Sequence, residues 1–162
     1  LLSSPASRIR KTGDLADRVV AVAPGTLTET LAKEAASKAG LSGESVMYPH
    51  IVCYNTAASM LIFNQVDATV LPEPYASYAV NAKAVSLATL AEDATGYILI
   101  KDRRKSKASE EFIRKKLQVL YNMAADSMAV AEKETLDRLL QNVCKISPKG
   151  MNTKRLNTKK AR

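Results

Sequence analysis

The sequence predicts an α/β fold, a mostly parallel sheet flanked by helices with a C-terminal helical segment. Three observations carry that prediction. Short β-branched runs alternate with helical stretches, each run ends in turn residues, and the third run, "DATVL", is apolar at successive positions after Asp67. Alternation of this kind implies parallel strands with crossover helices, and a run apolar on both sides implies a strand covered on both faces. With 162 residues and 46% apolar content, the chain is long enough for one domain with a buried core.

The first unit begins with "RVVAV", 18 to 22, followed at once by "APGT". That is a strand ending in a tight turn that opens a helix. Leu27, Leu31, Ala35 and Ala39 recur at i, i+4, and Thr26 and Glu29 have the spacing of a capping box. Gly40 stands where a left-handed C-terminal residue belongs.

The second unit opens with "VMYPHIV", 46 to 52, which Pro49 confines to a sheet edge or a bend because proline cannot donate to the ladder. A helix follows, capped by Asn55 or Thr56, with Ala58, Leu61 and Ile62 on its apolar face and Asn64 terminating it. The third strand then runs into "PEPYAS", where Pro74 suits the first turn of a short helix over "PYASYAV". Two further extended runs are expected at 84–90 and 96–100. A long helix follows from about Ser109 to Val130, with Phe112, Ile113, Leu117, Leu120, Ala124 and Met128 as its stripe. Glu110 and Glu111 in its first turn suit the helix dipole. A last helix over "KETLDRLLQNVC" is expected to turn Leu136, Leu139, Leu140 and Val143 inward. The corresponding domain expectation is an α/β ligand-binding lobe at 1–104, C-terminal helices at 105–147 and a basic flexible tail at 148–162.

Net charge is +8, but it is unevenly distributed. Lys145 to Arg162 holds seven basic residues and no acid, which leaves the first 144 residues at about +1. A nearly neutral body argues against nucleic acid as a partner, and the tail reads as a solvated terminus. No apolar run approaches bilayer length. Cys53 and Cys144 match no metal-ligand spacing and leave pairing open, and His50 is the only histidine. With no phosphate loop, nucleophile elbow or metal cluster, the motif inventory indicates a binding role without cofactor or metal rather than catalysis.

In open α/β sheets ligands bind where the carboxyl ends of the strands meet the loops. Three connections therefore matter: Ala23 to Thr28, His50 to Thr56, and Pro72 to Tyr75. Gly25 permits close backbone approach, and the N–H groups that follow it form a helix N-terminus suited to an anion, although Glu29 competes for that position. Asn55 lies in the second connection. Glu73 is either a structural acid at a helix start or a carboxylate held at the cleft by its two flanking prolines. Tyr75 and Tyr78 offer apolar and hydroxyl contacts.

With those residues located, the chain resembles the type 2 periplasmic binding-protein fold, in particular substrate-binding proteins of nitrate/sulfonate/taurine-type ABC importers. "RIRKTGDLADRVVAVAPGT" is similar to that family's Ile, Asp-Leu-Gly-Lys/Arg, Val-Ala-Val, Pro-Gly-Thr series, and "NTAASMLIFNQVDATVLPEPYAS" is similar to its Val-Asp-Ala and Glu-Pro-Tyr segment. Asp17 and Asn64 stand where the family carries glycine. The resemblance covers about Ile9 to Val130. It implies a two-lobed clamp in which Gly25, Thr26 and Thr28 meet a polar or anionic group, while Glu73 lines the cleft near the hinge.

It also implies a small-molecule ligand, ABC transporter membrane subunits as partners, and a periplasmic or membrane-anchored lipoprotein location. The chain begins near the point where the family's second lobe begins. It is therefore expected to be a second-lobe fragment or truncated form, completed by a missing N-terminal lobe or a second copy. Two other classes share this fold. The effector domain of a LysR-type regulator would ordinarily follow a helix-turn-helix, and thiamine-pyrimidine synthases rely on histidine chemistry that His50 alone does not supply.

Overall fold

The computed structural model describes residues 1–51, 53–90, 110–149 and 151. These fall into two compact units, one drawn from Leu1–Glu92 and Asp137–Asn152, the other from Asp93–Leu136. The first unit contains β1 (Leu2–Ser3), β2 (Arg18–Ala21), α1 (Leu27–Lys38), β3 (Val46–Met47), α2 (Tyr54–Ile62), β4 (Ala68–Thr69), α3 (Tyr75–Asn81) and β5 (Val85–Ser86).

The strands form one sheet in the order β3-β2-β4-β1-β5. β2 is parallel to both β3 and β4, whereas β1 is antiparallel to β4 and β5. Four strands therefore run one way and one runs against them. The reversed strand, β1, had no signal in the sequence, because two residues cannot show a period. Its place is set by its neighbours: Leu2 pairs with Thr69 and Ser86, and the Leu1 nitrogen donates to Ala88 O at 2.8 Å.

Side chains alternate strictly across the sheet, as a period of two requires. Val20, Val22, Ala68 and Val70 pack on one face with Ala32, Ala35 and Ala36 of α1. Ala21 and Leu71 pack on the other with Ala57, Ala58 and Leu61 of α2 and Ala79 of α3. Residues 68 to 71 are all buried, which agrees with a strand covered on both sides. The expected edge strand is β3; Pro49 interrupts it, and Val22 resumes the pairing with His50 as an isolated parallel bridge.

α1 exists where expected, but its buried stripe is different. Leu27 is 51% exposed and Ala39 is exposed, while Thr28, Ala32, Ala35 and Ala36 face the sheet. The sheet decides this phase: bulky Val20 and Val22 need small partners opposite them if the helix is to lie close. Gly40, at φ +79°, closes α1 with its N–H to Ser37 O, and Leu41 N–H reaches Ala36 O, which together form a Schellman motif. Asn64, at φ +58°, does the same for α2 through Asn64 N–H to Leu61 O and Gln65 N–H to Met60 O. Its side chain also accepts from Ala6 N–H at 3.1 Å. Asp17 is left-handed too, at φ +57°. Both positions where the resemblance carries glycine thus use the glycine conformation, which Asn and Asp tolerate best among other residues.

The cap of α2 differs from expectation. Cys53 occupies the N-cap with no side-chain bond, and Asn55 lies inside the first turn, its Oδ1 accepting from Thr56 N–H at 2.9 Å. At the chain's far end of this unit, a π-helical turn over Leu140–Cys144 buries Leu140, but Leu139 and Val143 are exposed, contrary to the expected inward face. Val143 lies inside that π-turn, whose i→i+5 bonds rotate its side chain away from its α-helical position.

In the second unit, α4 (Glu110–Ala129) matches the expected long helix. Ala125 is its buried residue, whereas Phe112 is 52% and Leu120 61% exposed, so the apolar stripe is not a buried one. α5 (Lys133–Leu139) follows, and its residues from Asp137 on belong to the first unit. The run expected at 96–100 lies outside the described residues. No described helix is long and apolar enough to cross a membrane.

Candidate functional site

Because β3, β2 and β4 are parallel neighbours, their carboxyl ends share one edge of the sheet. The three following connections deliver Gly25, Thr26 and Thr28 behind β2, Asn55 behind β3, and Glu73 and Tyr75 behind β4. All six sequence-predicted site residues are therefore at that edge, with the β2 group in the middle. α1 rises from one face of the sheet, while α2 and α3 rise from the other.

Local chemistry at the β2 connection is self-satisfied to a large extent. Gly25 is left-handed at φ +69°, and its N–H donates to Glu29 Oε2 at 2.8 Å. The other carboxylate oxygen accepts from Lys33 Nζ at 2.7 Å. Glu29 thus reaches Gly25, not the Thr26 N–H that a capping box demands. Thr26 Oγ1 donates to Ala23 O at 2.7 Å and stands 2.7 Å from Thr28 Oγ1. With the Thr26 proton on Ala23 O, Thr28 supplies the proton between the two hydroxyls. Thr28 is buried, and its outward capacity is a lone pair.

The Lys33 hydrogen bond, then the Gly25 N–H, hold the Glu29 carboxyl below its ordinary value of 4.5, with smaller help from the charges of Lys33 and His50. A carboxylate whose folded pKa is depressed adds stability that is complete above the unfolded value and disappears as pH falls through the folded one. Thermal melts from pH 7 to pH 3 should therefore show a drop beginning below about pH 4.5 that is smaller in Glu29→Gln. An identical drop in the variant would show that this carboxylate makes no net contribution.

At the β4 connection, Glu73 is exposed and bonds the start of α3: Oε1 accepts from Ser77 Oγ at 3.0 Å and Oε2 from Ser77 N–H at 3.1 Å. The bond it accepts from Pro74's helix is local, and Glu-x-x-x-Ser was a readable signal for it. The Glu73–Pro74 peptide is cis. The Tyr75 ring lies 5.9 Å from that of Tyr54, tilted at 44°, so α2 and α3 meet at their first turns. Burial pushes the Tyr75 phenol upward, and its neighbours Cys144 and Cys53 push the same way.

A separate polar hollow of about 320 Å³ lies at the amino end of β2, lined by Ser4, Ser7, Arg8, Arg18, Asn64 and Asp67 among others. None of the predicted site residues lines it. Among the described residues there is no group of His, Cys, Asp and Glu that could hold a metal ion.

No family model and no curated protein matches the chain. Solved structures do. The alkanesulfonate-binding protein SsuA from Xanthomonas axonopodis pv. citri, bound to MOPS, superposes with a TM-score of 0.68 at 23% identity over 91% of this chain and 51% of its own. The periplasmic aliphatic sulphonate-binding protein SsuA from Escherichia coli gives 0.59 at 19% identity over 90% and 50%. An ancestral arginine-binding protein bound to arginine gives 0.50 at 24% over 78% and 53%. The likeness is one of fold: the chain has the α/β architecture of periplasmic binding proteins and spans about half the length of those it matches.

Proposed function

We propose that this chain is the ligand-capturing lobe of a solute-binding protein of the nitrate/sulfonate/taurine type, serving an ABC importer outside the cytoplasm. The observation that supports the reading is the convergence of Gly25, Thr26, Thr28, Asn55, Glu73 and Tyr75 on one sheet edge, in a fold shared with sulfonate- and arginine-binding proteins. The solute is small and polar or anionic. Since the Thr26 and Thr28 protons are directed inward and Thr26 O takes the Glu29 and Thr30 N–H groups, an anionic group is met by the Leu27 and Thr28 N–H groups at the start of α1. Tyr75 and Tyr54 supply an apolar wall for the rest of the solute.

A closed clamp solvates its ligand with protein on both sides, and stabilises the form that the transporter's membrane subunits read. One lobe alone supplies half of those contacts, so its affinity lies in the millimolar range, about 4 kcal/mol. Amide chemical shifts of the labelled chain should be followed during titration with MOPS, taurine, nitrate and arginine. At least one probe should shift the amides of residues 25 to 28 together with Asn55 or Tyr75. Saturable shifts confined to other surfaces, or none with any probe, would remove the support for this reading.

A further inference from the structure

The polar hollow at the amino end of β2 takes no part in the reading above, and its donors come from separate segments: Ser4 after β1, Arg8 in the loop that follows, Arg18 at the start of β2 and Asn64 just past α2. The segments are tied to one another beneath it. Ser4 N–H donates to Asp67 O at 2.8 Å, and Ser4 O accepts from Ser7 Oγ at 2.9 Å. Asn64 Oδ1 accepts from Ala6 N–H at 3.1 Å, so the free end of that amide is its NH2 donor. The Ser4 hydroxyl is in a different position. Ser4 is 2% exposed, yet its Oγ forms no hydrogen bond with any described residue. A buried hydroxyl without a partner is costly, and one on the wall of a hollow takes its partner from what the hollow holds.

The charges lining the hollow are unequal. Arg18 stands 3.8 Å from Asp67 Oδ1, while Asp67 Oδ2 is occupied by Val19 N–H at 2.9 Å. Arg8 is exposed and makes no ion pair among the described residues. Two guanidinium groups therefore face one carboxylate that is already engaged. We propose that the hollow binds the phosphate group of a small solute, with Arg8 as the main charge, Arg18 beside it, and Ser4 Oγ and Asn64 Nδ2 donating to the remaining oxygens. Donors that arrive from separate segments suit a tetrahedral group with three or four oxygens better than the two coplanar oxygens of a carboxylate, and the arginine fork matches phosphate geometry. The volume of about 320 Å³ is at the lower end for small-molecule sites and leaves room beside the phosphate for an organic remainder. A hydroxyl on that remainder can donate to Asp67 Oδ1.

The test titrates the labelled chain with inorganic phosphate and with glycerol 3-phosphate at constant ionic strength. At least one probe should give saturable amide shifts at Ser4, Ser7, Arg8, Arg18 and Asn64; tighter binding of the first assigns a free ion, tighter binding of the second an ester. Residues 25 to 28 lie beyond the other end of β2, so these shifts are read apart from those of the solute proposed above, and either reading can fail without the other. Ser4→Ala should weaken binding about tenfold with the thermal midpoint unchanged, because its hydroxyl has no protein partner to lose. Arg8→Gln should weaken binding by at least as much. No saturable shift at the hollow with either probe, an affinity unchanged in either variant, or a lowered midpoint in Ser4→Ala would each overturn the proposal.

Discussion

Replacing Leu61 by Ala should lower the stability of the first unit by about 3 kcal/mol, within the span measured for buried leucines. Leu61 is fully buried, on the α2 face that packs against Ala21, Leu71 and Ala79. Its neighbours there are mostly alanines, which are too short to collapse into the space it would leave, so the cavity term adds fully to the lost transfer free energy. Urea unfolding followed by circular dichroism measures the difference, and the midpoint of thermal melting should fall by on the order of 10 °C. A loss below about 1 kcal/mol would mean that α2 does not pack on the sheet through this residue.

The second large effect should come from Asp67→Ala, at about 2 kcal/mol. Asp67 ties β4 to β2 twice, through its Oδ2, which accepts from Val19 N–H at 2.9 Å, and through its own N–H to Val19 O at 2.9 Å. Alanine keeps the second bond and strands the Val19 N–H. The ion pair to Arg18, at 3.8 Å with both side chains partly exposed, contributes little. Asp67→Asn separates the two, since it keeps an acceptor for Val19 while removing the charge. It should recover most of the loss. If Asn is as damaging as Ala, the charge and not the hydrogen bond is what matters.

Asp67 also shows how far the sequence could be read. The apolar run after it announced a strand covered on both faces, and that strand is there. What the side chain of Asp67 does depends on Val19, which is distant in the chain, and no spacing rule connects them. The terminators Gly40 and Asn64 were legible because a left-handed residue after a helix is a local requirement. The capping box at Thr26 and Glu29 was misread: both ends have the right residue types, but the left-handed Gly25 presents its own N–H to the carboxylate and Ala23 O draws off the threonine hydroxyl. Glu73 presents the opposite case, since its partner Ser77 lies one helical turn away and could have been read directly.

The amino-acid sequence by itself determined the order of strands and helices around the parallel core, the positions where helices stop, and the connections that carry candidate ligand contacts. These depend on periodicity, turn chemistry and capping, which act over a few residues. Only the tertiary structure decided the insertion of β1 against the sheet's direction, the face that α1 buries, and the meeting of Tyr54 and Tyr75. Each of those joins residues far apart in the chain, where the choice of partner is settled by packing volume and hydrogen-bond satisfaction across the folded unit and not by local pattern.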